Sequence, residues 1–145
     1  MKFLYPLHLD PEDDPNDGFV AQFRDVPEAI AGGRDRTEIL RIASEVLAAA
    51  LRLYAKRGAA IPEPSAARPG EVLVTIPAHD AYKIAIMHAF AASGMTLAAF
   101  GRSLGRVDMD VRRILDPSHP TKIATLEEVL AKLGRRAIIE FDDAI

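Results

Sequence analysis

The sequence predicts an α+β protein in two parts. A small sheet packed on one long helix takes residues 1–78, and an all-helical bundle with a short terminal strand takes residues 79–145. Three observations predict this. Runs rich in Phe, Leu, Tyr and Val occupy the first part and stop after Pro77, returning only in the last few residues. One long helical period separates the last of them from the others. After Pro77, short helical periods follow one another with very small connections. The chain has 145 residues, 49% of them hydrophobic and 27% charged, which excludes wholesale disorder and fibres and leaves room for two small domains. No cysteine is present, so disulfide frameworks and thiolate metal sites are excluded, and a reducing cytosol suits the composition. The N-terminus, MKFLYPLHLDPEDDP, lacks the pattern of a signal peptide, and the expected location is cytoplasmic.

In the first part, Lys2 to Leu9 and Phe19 to Phe23 read as strands joined by the acidic turn DPEDDPNDG. Val26-Pro27 and Gly32-Gly33 break regular structure, with a short third strand between them. A helix then starts at Asp35 or Thr37, with Glu38 completing a capping box to Asp35. Ile39, Ala43, Val46, Leu47, Ala50, Leu51 and Tyr54 share one face, and Gly58 ends the helix. Residues 59–70 hold three prolines and no period, so they form a loop. Glu71 to Pro77 reads as a strand that returns to the first sheet, and a long helix across three or four strands is a compact two-layer solution.

In the second part, Asp80 caps a helix running to about Ser93, and Thr96 caps one ending at Gly105. Asp108 caps one ending near Asp116-Pro117, and Thr125 starts one closing at Gly134. Ile84 to Gly101 is uncharged for 18 residues, long enough to enter the membrane-span range. Gly94 followed by Thr96 divides it into two helices, so no membrane partner is expected.

Within residues 97–114 the small Gly101, the turn glycine Gly105 and the apolar Val111 and Ile114 have the spacing of a helix-turn-helix. The small residue lets the next helix cross closely, the glycine takes a left-handed turn, and the apolar pair pins the next helix to the core. Such a motif reads DNA with the N-terminal end of its second helix. The expected DNA-binding residues are Thr96, Asp108, Met109, Asp110, Arg112, Arg113, His119, Thr121 and Lys122. The arginines suit guanine or phosphate, Asp110 suits a cytosine amino group or Arg113, and the loop PSHPTK suits backbone phosphates.

The chain resembles the HicB antitoxins of HicA–HicB toxin–antitoxin systems over nearly its full length. The residues that carry the likeness are FLYPLHL, GFVAQFRDVPEAIAGG with DRTEIL, and IPEPS before GEVLVTIP. The tail, KIAIMHAF and LGRVDMDVRRILDPSHPTKIATLEEVLAKLG, looks like members with a Cro/phage-repressor-type helix-turn-helix. The resemblance implies a truncated ribonuclease-H-like N-terminal domain that binds and blocks a small HicA-type mRNA-cleaving toxin. It also implies a C-terminal domain that dimerises and represses its own operon. Asp108 and Asp110 depart from the more neutral residues expected on a recognition helix. Candidate contacts to a basic toxin are Asp13, Asp14, Asp17, Asp25 and Glu28.

Enzymatic chemistry is not expected, and no cofactor or metal is. Ribonuclease-H catalysis needs carboxylates converging on two Mg²⁺ ions, whereas Asp10, Asp13, Asp14 and Asp17 are bunched in one turn. A calcium loop ending at Gly18 would need a ligand where Pro15 stands and a glutamate where Arg24 stands. The competing reading is a regulator whose first part senses a ligand or another protein. Residues 1–78 carry nine basic and twelve acidic side chains and residues 79–145 nine of each, so the net charge of −3 lies in the first part. The run Ala137, Ile138, Ile139, Glu140, Phe141 is expected to be a strand that pairs with a second copy, giving a dimer or tetramer.

Overall fold

The computed structural model describes residues 1–11 and 18–143. They form four strands and five helices: β1 (Leu4–Pro11), β2 (Phe19–Phe23), β3 (Ile30–Gly33), α1 (Arg36–Lys56), β4 (Val72–Thr75), α2 (Ala78–Ser93), α3 (Leu97–Leu104), α4 (Asp108–Leu115) and α5 (Ile123–Lys132). The chain divides into two compact units, Met1–Ala81 and Tyr82–Ile145.

Unit 1 is an antiparallel sheet in the order β3-β2-β1-β4 with α1 on one face. Strand alternation puts Tyr5, Leu7, Ala21, Phe23, Ala31 and Val74 into the core, where Ile39, Ala43, Leu47, Ala48 and Leu51 of α1 meet them. Val46, Ala50 and Tyr54 flank that stripe half-buried, and Ala48 is a core residue the periodic reading missed. β3 includes both Gly32 and Gly33, which the sequence reading took as strand breakers. A side chain at Gly33 would lie 2.9 Å from Ile39 of α1, so the strand needs glycine there to pass under the helix.

The N-cap of α1 is Asp35, whose carboxylate accepts from the Glu38 N–H at 2.9 Å. The reciprocal half of the expected capping box is displaced by one residue: Glu38 accepts from the Arg34 N–H at 2.9 Å, and Thr37 plays no capping part. After α1, the proline-rich stretch 59–70 is pinned to the sheet. The Tyr5 hydroxyl donates to the Pro62 carbonyl at 2.6 Å, and burial with Asp25 and Glu63 nearby pushes its pKa up to about 12. This stretch lets the chain reverse before β4, which therefore enters antiparallel to β1.

Unit 2 holds α3, α4, α5 and all but the first turn of α2 around Tyr82, Ile86, Phe100, Val111, Ile114, Leu126, Val129 and Leu130. The Phe90 and Phe100 rings are 4.9 Å apart, within the range of favourable aromatic pairs. The uncharged run is bent by 116° between α2 and α3, and among the described residues no single helix is long and apolar enough to cross a membrane. Two helix starts differ from the sequence reading. Asp80 lies inside the first turn of α2, where it accepts from Arg52 at 2.6 Å, and α5 begins at Ile123 rather than Thr125. The expected terminal strand is absent: residues 137–141 have no regular secondary structure and are exposed, Phe141 at 92%. Strand hydrogen bonds need a partner strand, and among the described residues this run is paired with none.

Candidate functional site

The candidate site of unit 2 is the pair α3–α4 with the loop to α5. Thr96 starts α3 by accepting from the Ala99 N–H at 3.1 Å. Gly105 ends it in the left-handed region at φ 64, where only glycine avoids a Cβ penalty. Gly101 faces the turn so closely that a Cβ would meet the Arg106 carbonyl oxygen at 2.8 Å and Val111 Cγ2 at 3.3 Å. Val111 and Ile114 are buried, so the four positions singled out by spacing form one packed corner.

α4 begins at Asp108, but with a different cap from the one expected. Its N-cap is Val107, which offers no side-chain bond, and Asp108 is the first helical residue. Asp108 and Asp110 lie in the first turn, where carboxylates favour the helix dipole. Asp110 sits 3.7 Å from Arg113. Arg112 and Arg113 occupy the last turn and are exposed, as is Met109. Val107, 67% exposed beside Met109, joins this surface and was not anticipated. In the following loop Asp116 accepts from the Ser118 N–H at 2.9 Å, His119 is half-buried and Lys122 is exposed.

Thr121 is already committed. Its Oγ1 accepts from Lys83 Nζ at 2.8 Å, and the same ammonium donates to the Arg113 and Ile114 carbonyls, each at 2.9 Å. Lys83 is fully buried, and three acceptors meet its three N–H groups. Burial pushes its pKa down to about 8 against the pull of Asp116, which leaves it charged at neutral pH. Sequence reasoning missed it. The available signal was a lone lysine in the stretch Ala81–Ala92, which is apolar but for it, His88 and the Tyr82 hydroxyl.

In unit 1 the acidic candidates separate. Asp13, Asp14 and Asp17 lie outside the described residues. Asp25 accepts from the Ser65 N–H at 2.8 Å and from its hydroxyl at 2.9 Å, so it anchors the proline-rich loop. Glu28 is exposed, and its bond to the Tyr54 hydroxyl raises that phenol's pKa. Arg24 joins the anchor, donating to Ser65 at 2.7 Å, to the Ala66 carbonyl at 3.1 Å and through two nitrogens to Glu71 at 3.1 and 2.9 Å. FRD and IPEPS, far apart in sequence, are thus two sides of one hydrogen-bonded joint. A shallow cleft of about 460 Å³ beside it is lined by His8, Gln22, Pro27 and Arg68, with Arg24 and Glu71 bonded to each other at its wall. Among the described residues no group of three or more His, Asp or Glu side chains could hold a metal ion.

Comparison with known proteins decides the family. Residues 4–85 match the family described as HicB-like antitoxin of bacterial toxin–antitoxin systems. The chain belongs to the HicB-like antitoxin family. It is 33% identical to antitoxin HicB 2 of Photorhabdus laumondii over 131 residues, covering 90% of this chain and 91% of that protein. It is 30% identical to antitoxin HicB 1 of the same organism, covering 95% of this chain and 86% of the relative. Antitoxin HicB of Escherichia coli K12 is 28% identical, covering 90% and 94%. In this HicB-like chain the family match spans the whole sheet and α1 and ends within α2, so the α3–α4 corner lies beyond it.

Proposed function

We propose that this HicB-like antitoxin works through two surfaces. Residues 1–78, a truncated ribonuclease-H-like domain, bind and block a HicA-type mRNA-cleaving toxin. Residues 79–145, a helix-turn-helix domain, bind operator DNA as a homo-oligomer and repress the antitoxin's own operon. Blocking is steric and electrostatic, and this chain makes and breaks no bond.

The observation that carries the DNA half is the α3–α4 corner, where Gly101 and Gly105 bring two eight-residue helices together and leave the start of α4 exposed. Residues 97–122 carry five basic and three acidic side chains, a balance that suits phosphate contacts from Arg112, Arg113 and Lys122. The toxin half is supported by the family match over residues 4–85 and by the acidic balance of residues 1–78. Residues 137–141 supply unpaired backbone groups and three exposed apolar side chains, Ile138, Ile139 and Phe141, which suit pairing with a second copy.

Two assays test the halves separately. Co-expression with the neighbouring gene product, followed by pull-down and a growth assay, should show capture and rescue. A toxic neighbour that this chain neither captures nor neutralises would refute the toxin half. Arg112→Ala should cost about 1–3 kcal/mol in binding to the operon's upstream DNA if that side chain reads a base. Lys122→Ala should weaken binding to all sequences and flatten the salt dependence.

A further inference from the structure

An α-helix leaves its last four carbonyls without partners, and the usual remedy is a glycine in the left-handed region just past the end. α3 follows that rule at Gly105, as does the chain after α1 at Gly58. α4 does not. Its C-cap is Asp116 in an extended conformation, and Pro117 comes next, with no N–H to return to the helix. The Asp116 N–H reaches the Arg113 carbonyl at 3.3 Å. What completes the end of the helix is the Lys83 ammonium from α2, bonded to the carbonyls of Arg113 and Ile114 and to Thr121 of the following loop.

Burying an ammonium is costly, and an apolar residue in its place would remove the donor that the Arg113 and Ile114 carbonyls share. What the charge adds is direction. Three convergent acceptors fix one point, and they come from the last turn of α4 and from the loop that carries His119 and Lys122. We propose that Lys83 is the positioning residue of the DNA-reading surface, locking α4 and the 118–122 loop into one frame so that base contacts and phosphate contacts are made in register. This rests on the DNA-binding reading above and adds to it a residue that touches no DNA.

The test uses the full chain, its own upstream DNA and an unrelated duplex of equal length. Wild type is measured first. Absence of any preference for the upstream DNA would overturn the DNA-binding reading, and the role of Lys83 with it. Given a preference, Lys83→Met, checked for folding by circular dichroism and thermal melting, should lower the ratio of specific to non-specific affinity about tenfold or more. Non-specific affinity and its salt slope should stay unchanged, because Lys83 neutralises no phosphate. Loss of folded protein alone would lower both affinities equally and leave the ratio intact. A folded Lys83→Met variant with the wild-type ratio overturns the proposal. Should that variant not fold, Lys83→Gln, which retains two N–H donors, is read by the same ratio. Failure of both to fold would mark Lys83 as a requirement for folding and would likewise overturn the positioning role.

Discussion

The two glycines at the end of β3 are chemically identical neighbours, yet replacing each by alanine should have opposite results. Neither has positive φ, so neither is strained by an L side chain as such. At Gly32 the new methyl would lie 3.9 Å from the Phe19 carbonyl oxygen, an ordinary contact. Gly32→Ala therefore keeps the entropic advantage of removing a glycine from the unfolded chain, about 0.4–1 kcal/mol. At Gly33 the methyl would stand 2.9 Å from Ile39 N, Cα and Cβ, where carbon pairs ordinarily sit about 3.5 Å or more apart. These are largely backbone atoms in the first turn of α1, so the helix itself must move. Overpacking of this kind costs about 1–3 kcal/mol, and subtracting the entropic gain leaves, at the middle of both ranges, a net loss of about 1.3 kcal/mol. For a unit of this size, that lowers Tm by about 5–10 °C. Differential scanning calorimetry of the full chain reads the transition. Hydrogen exchange over residues 19–51 assigns it to unit 1, and the unit 2 amides should be unaffected. A Gly33→Ala protein as stable as wild type, or a Gly32→Ala protein less stable than Gly33→Ala, would refute the packing argument.

Other outcomes follow from the same geometry. Glu71 is held down to about 2, from an ordinary 4.5, by the Arg24 guanidinium first and the Arg68 N–H second. The folded value lies below the unfolded one, so its stabilisation is complete above about pH 4.5 and is lost as pH falls toward 2. Acid titration of Glu71→Gln should therefore show a shallower stability loss across that window than wild type. Thr96→Ala removes the acceptor for the Ala99 N–H and should cost about 1 kcal/mol by urea unfolding, with Thr96→Asn recovering most of it. If the chain self-associates through residues 137–141 as proposed, the full chain should sediment as an oligomer and a chain truncated after Gly134 as a monomer; a truncated chain that is still oligomeric would exclude those residues as the main interface.

Much of this protein is legible from local pattern. Runs rich in Phe, Leu, Tyr and Val locate β1, β2 and β4, the long 3.6-residue period locates α1, and Thr96, Gly101 and Gly105 mark the α3 corner because caps and left-handed turns are chosen by nearest neighbours in the chain. Helix starts without a side-chain cap, at Val107 and Lys122, carry no such mark: Asp108 is the first residue of α4 rather than its cap, and α5 begins two residues before Thr125. The terminal run at 137–141 has strand composition but is paired with no strand among the described residues, so composition alone does not make it a strand.

By itself the sequence determined the α+β class, the order of the elements from β1 to α5, the family likeness and the α3–α4 corner, all of which depend on residues a few positions apart or on motif likeness. Tertiary structure alone decided which partners the acidic side chains take within the chain. It committed Asp25 and Glu71 to the loop at Ser65 and Arg68, and bonded the exposed Glu28 to the Tyr54 hydroxyl. It alone also turned Lys83 from one more helix residue into the cap of another helix 30 residues away. The physical reason is common to both: a buried charge or hydrogen-bond group takes whatever partner the folded chain brings within 3 Å, and nothing in local sequence records that distance.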